Sequence, residues 1–178
     1  MDSNDFINEH QKVIEVIDQY RGRSWQRYEE MRKKVVREEF AVGGELMNRG
    51  YYCPSLIEDI VVGNAHRGKI LQRLTKRSKP TYQYGFDKDG NLLTVVSLSD
   101  DEECNRYEFI VRDGNCEIGI MFQKEWGLTA VSQCEYSSDG KLQSYTFFLW
   151  MIIHGNSSNL KKCIPIWTIG WLWTGMIL

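Results

Sequence analysis

The side chains in this chain best able to do chemistry are its three histidines and five cysteines. His10, His66 and His154 lie far apart, and no two stand at the close spacing of a zinc-binding pair. A cysteine nucleophile would have to meet one of them through the fold, and Cys53 with His66 is the least remote pairing. Cys116 and Cys134 stand inside alternating apolar runs, as small core residues do. The chain has no GxSxG elbow, no GxGxxG fingerprint and no phosphate loop. Asp87-Lys88-Asp89-Gly90-Asn91 has the acid content of a calcium loop, but its glycine is fourth rather than sixth. Leu98 stands where that loop needs its twelfth-position glutamate. The expectation is a chain with no catalytic set, no metal site and no cofactor.

Charge is patterned more sharply than reactivity. Arg67, Lys69, Arg73, Lys76, Arg77 and Lys79 fall within thirteen residues that contain no acid. Asp100, Asp101, Glu102 and Glu103 form an uninterrupted acidic run. Single-sign segments are first of all solvated surface. Beyond that, the cations suit an acidic protein or a phosphate backbone, and the acids suit a basic protein. These ten residues are the candidate partner contacts.

The elements that must hold them follow from periodicity. Tyr82, Tyr84 and Phe86 alternate, so they share one face of a strand, and Asp87 to Gly90 makes the turn. Val95 and Val96 suit the return strand, Asn91 to Ser99. Tyr107, Phe109 and Val111 alternate before Asp113-Gly114; Cys116, Ile118, Ile120 and Phe122 alternate after it. Thr129 to Tyr136 and Lys141 to Trp150 flank Ser138-Asp139-Gly140. These turns predict an antiparallel β-meander of five to six strands over 81–150.

Upstream, the spacing predicts helices over 1–80. Phe6, His10, Val13, Ile17 and Tyr20 form one seam, which Gly22 closes. Ser24 is placed to cap a second helix carrying Trp25, Tyr28, Met31, Val35 and Val42, which Gly43-Gly44 kinks or ends. A short helix opens at Pro54 and runs to about Val62. A last one, about Ala65 to Arg77, would turn Ile70, Leu71 and Leu74 inward and the cations outward. Helices first and sheet second describe an α+β domain over 1–150, its N-terminal helices packed on one face of the C-terminal sheet.

The chain's 178 residues are enough to bury a core without staples, and its formal charge of −2 provides no general attraction to nucleic acid or anionic membrane. That charge is unevenly spread: residues 1–140 sum to −5 and 141–178, with no acid after Asp139, to +3. Scattered cysteines and a polar, acidic start without an apolar run predict a cytoplasmic protein with reduced thiols. Residues 151–178 form an apolar tail in which Trp167, Trp171 and Trp173 cluster. Its uncharged run, Ile164 to Leu178, is too short to span a bilayer as a helix. Three readings stand for the tail: a final strand or buried cover, an altered C-terminus, or a segment that touches membrane.

Tyr82-Gln83-Tyr84-Gly85-Phe86-Asp87-Lys88-Asp89-Gly90-Asn91-Leu92, echoed loosely in Glu135 to Leu142, is an aromatic strand turning at Asp-x-x-Gly. With the preceding helices, the architecture over about 1–150 resembles the small cytoplasmic immunity proteins that bacteria encode beside polymorphic or contact-dependent toxins. The resemblance implies a non-enzymatic protein that binds one cognate toxin domain; no functional residue carries over from it. A nucleic-acid-binding domain using 67–79, or a hydrolase with an unrecognised site, are the alternatives.

Overall fold

The computed structural model describes residues 11–45, 48–54, 67–124, 127–150 and 163–170. Helix α1 spans Gln11–Tyr20 and α2 spans Ser24–Arg32. Gly22, at a φ of 73°, makes the left-handed turn between them. Ser24 is not the cap expected of it: Arg23 holds that position without a side-chain bond, and the Ser24 hydroxyl donates back to the Tyr20 carbonyl at 3.2 Å. Neither helix is long and apolar enough to cross a membrane.

Helix α2 ends ten residues earlier than the spacing of Val35 and Val42 suggests. Residues Arg37–Val42 are instead strand β1, paired along its length with β3, Tyr82–Phe86. Helical periodicity loses here to a tertiary partner: an aromatic strand offers β1 a full hydrogen-bond ladder. The helix expected over 65–77 is also absent from the described residues. Lys69–Ile70 form the short strand β2 on β1, Leu71 N–H continues the pairing to the Phe40 carbonyl at 2.8 Å, and Leu74 is exposed. The helix proposed from Pro54 falls mainly outside the described residues.

The remaining strands are β4 (Leu92–Ser97), β5 (Arg106–Asp113), β6 (Cys116–Gln123), β7 (Gly127–Tyr136), β8 (Leu142–Trp150) and β9 (Cys163–Gly170). They form one nine-stranded sheet in the order β2-β1-β3-β4-β5-β6-β7-β8-β9, and every neighbouring pair is antiparallel. The fold is α+β, with β3 to β8 as the expected meander and three further strands at its two sides. For the tail, the final-strand reading holds over 163–170, and the other parts of 151–178 lie outside the described residues.

Helices α1 and α2 cover one face. Ile17, Tyr28 and Met31 bury against Val96, Phe109, Ile118, Ile120, Phe122, Val131 and Phe148. Those sheet residues stand in register across β4 to β8, so alternation sends them all to the same side. Edge-to-face contacts of Trp25 and Tyr28 on Tyr107, at 5.1 and 5.2 Å, seat α2. The opposite face carries Ala41, Tyr82, Tyr84, Phe86, Val95 and Ile110. No α-helix among the described residues covers that face. A strap, residues 48–54, with a single 3-10 turn at Gly50–Tyr52, lies on it instead.

Candidate functional site

Among the side chains that anchor the strap, Arg49 enters the sheet face itself. Arg49 is the only non-glycine described residue with a positive φ, 60°, and its side chain is 2% exposed. Its guanidinium donates Nε to Glu108 Oε1 at 2.8 Å, Nη1 to Glu117 Oε1 at 2.5 Å and Nη2 to Ser132 Oγ at 3.1 Å. Glu108, Glu117 and Ser132 belong to β5, β6 and β7, all projecting away from the helices. Glu117 is shared, because its Oε2 also accepts from Arg112 Nη2 at 2.6 Å. Gly119, paired with Ile110 and Ser132, makes room for this: a Cβ there would strike Glu108, Arg49 and Ser132 together.

The two carboxylates feel this site differently. Burial pushes the Glu108 carboxyl up and outweighs Arg49, and its Oε2 has no hydrogen-bond partner among the described residues. Burial also opposes ionisation of Glu117, but Arg49 and Arg112 together hold that carboxyl below its usual range. Burial pushes the neighbouring Cys134 thiol up to about 12, so it is not a thiolate at neutral pH. The arrangement ties down charge and offers no reactive group to solvent. A cavity of about 240 Å³ does open at the hairpin end of β5 to β7, beside Arg112, Glu117 and Tyr136, but both charged groups there already hold partners.

The predicted contact residues stand elsewhere. Arg67 is half-buried beside the strap, where its Nη1 donates to the Cys53 carbonyl. Lys69 lies on β2, and Arg73, Lys76, Arg77 and Lys79 lie in the β2–β3 connection. These five are exposed and form no ion pair with any described residue. The connection is braced at its middle, where Thr75 N–H donates to Ser78 Oγ at 2.9 Å and Ser78 N–H to the Thr75 carbonyl at 3.0 Å. Asp100, Asp101, Glu102 and Glu103 occupy the exposed β4–β5 connection, which Asp101 caps by accepting from Glu103 N–H at 3.1 Å. Antiparallel pairing brings the exit of the basic segment and the entry to the acidic turn to the same end of the sheet. Thr81, which follows the basic segment, donates to the Ala41 carbonyl and accepts from Leu98 N–H, both at 2.8 Å; Leu98 leads into the acidic turn.

His10, His66 and His154 lie outside the described residues, so the Cys53–His66 pairing does too. Among the described residues no three His, Cys, Asp or Glu side chains gather as metal ligands would. The Asp87 carboxylate closes its own turn, accepting from Asp89 and Asn91 N–H at 2.9 and 2.8 Å and from Asn91 Nδ2 at 3.0 Å. Sequence reasoning missed the Arg49 cluster, although two signals pointed to it: Glu108 interrupts an apolar run, and Gly119 sits in the middle of one. No protein-family model, curated protein or solved structure matches the chain.

Proposed function

We propose that this protein is a binding module that docks a second protein through residues 69–79 and 100–103, and that it catalyses no reaction. Its specific form, on the architectural resemblance, is an immunity protein that neutralises a bacterial toxin domain. One observation carries the reading. Five exposed cations with no ion pair to any described residue and four exposed acids lie on connections braced by their own turns, and the chain leaving the first pairs with the chain entering the second, while the buried charges are paired among themselves. Two patches of opposite sign select a partner with the mirrored pattern and speed its encounter. A phosphate backbone would meet the acidic turn as well as the cations, which favours a protein partner over nucleic acid.

The test is titration calorimetry between this protein and the toxin domain encoded by the neighbouring gene, with growth of cells expressing that domain as the second readout. A stoichiometric complex that weakens with salt, together with rescued growth, is the expected result. Absence of both overturns the reading, as does salt-sensitive binding of a nucleic-acid duplex through residues 69–79.

A further inference from the structure

The buried cluster and the basic connection are joined by backbone contacts. Gly44 packs directly on the Arg67 carbonyl and the Gly50 Cα, so closely that a methyl group on it would collide with both. Gly68 is pressed in the same way on the Val42 carbonyl and Gly43. Arg67 reaches the Cys53 carbonyl of the strap. At the far side of the basic connection, Thr81 Oγ1 donates to the Gly43 carbonyl at 2.9 Å and Tyr82 hydroxyl to the Gly44 carbonyl at 3.3 Å. The strap itself is fixed to the sheet by Arg49. It is also held by Tyr84, whose hydroxyl donates to the Arg49 carbonyl at 3.0 Å and accepts from Tyr51 N–H at 3.1 Å. Both ends of the basic connection therefore rest on backbone that the strap holds in place.

From this we infer that Arg49 is a positioning residue for the basic connection: inserted between Glu108 and Glu117, it holds the strap, and through the strap it sets how residues 69–79 are presented. The inference rests on the reading of that connection as a contact surface, but its test needs no partner. The groups facing the guanidinium are Glu108 from β5, Glu117 from β6 and Ser132 from β7, with Arg112 behind Glu117. Disturbing them loosens the strap first and the basic connection with it, and leaves the β5–β6 ladder in place.

Hydrogen exchange read by mass spectrometry on the full chain compares three stretches, 48–54, 67–81 and 106–123, in wild type and in Glu117→Gln. The expected result is a loss of protection of about tenfold or more in the first two, since the variant removes a charge-assisted bond to Arg49. The third stretch keeps its protection. Should Glu117→Gln fail to fold, Arg49→Lys, which keeps the charge and loses the fork, gives the same comparison. Loosening of 48–54 without 67–81, no change in either, or equal loss in all three stretches each overturns the inference. None of these outcomes bears on whether a toxin domain binds, so the two proposals fail separately.

Discussion

Replacing Glu117 with glutamine and, separately, Glu108 with glutamine perturbs the same guanidinium from two sides with opposite expected results. Glu117 accepts two charge-assisted hydrogen bonds, at 2.5 Å from Arg49 and 2.6 Å from Arg112, with its side chain 9% exposed. Glutamine keeps one carbonyl acceptor and turns an amide N–H₂ toward an arginine, so at least one such bond is lost and the buried Arg49 keeps only one of its two carboxylate partners. Bonds of this kind contribute about 1.5–3 kcal/mol each, and unpairing a buried charge costs about 3–5 kcal/mol, so Glu117→Gln is expected to lose about 2–4 kcal/mol. In urea, with a slope of about 1–3 kcal/mol per molar, the midpoint falls by about 0.7–4 M. Glu108→Gln replaces a carboxyl whose ionisation burial opposes and which has one oxygen unpartnered among the described residues, and is expected to cost less than Glu117→Gln. The pH dependence separates the two further. The depressed Glu117 supplies stability that is present above its usual value of 4.5 and is lost as pH falls through the folded value. The raised Glu108 supplies stability that is present below 4.5 and is lost as pH rises through the folded value. Loss of Glu117 therefore weakens the protein most at neutral pH and least in acid, and loss of Glu108 removes a penalty felt only toward neutral pH. Equal losses in the two variants, or the reverse order, would refute the reasoning.

Gly119→Ala, which adds a methyl where Glu108, Arg49 and Ser132 converge, is expected to cost about 1–3 kcal/mol by overpacking in urea unfolding. Phe109→Ala, at a fully buried position under the helices, is expected to cost about 3–5 kcal/mol by the same measurement. Neutralising Asp100, Asp101, Glu102 and Glu103 to their amides leaves stability nearly unchanged, since all four are exposed. It slows association with the toxin domain about tenfold or more at low salt, read by stopped flow, and the difference shrinks as salt is added.

The meander was legible because its information is local. Alternation over Tyr82 to Phe86 or Cys116 to Phe122 and a glycine turn beside each run decide both strand and register without reference to distant chain. What surrounds it was not local. Ile70, Leu71 and Leu74 have helical spacing, yet β1 offers Lys69–Ile70 a partner and Leu74 ends up half exposed. Val35 to Val42 was misread in the same way, because nothing in its own sequence announces that Tyr82–Phe86 is waiting for a neighbour. The charged contact residues could be named from their types, but the pairing of Thr81 with Leu98 that links their two connections follows from strand order. Arg49 was hidden for a related reason: its three partners come from three strands, and only their shared face reveals them.

The hydrogen bonds of Arg49 span 59, 68 and 83 residues of chain, whereas each strand from β3 to β8 pairs with the next one along. Loop closure favours short connections, so the hairpins zip first and the guanidinium finds its slot only once β5, β6 and β7 already stand side by side. A contact made that late is absent from the folding barrier and present in the unfolding one. Replacing Arg49 is therefore expected to speed unfolding and leave the folding rate, set by the aromatic hairpins, nearly unchanged, which stopped-flow refolding and unfolding in urea would check.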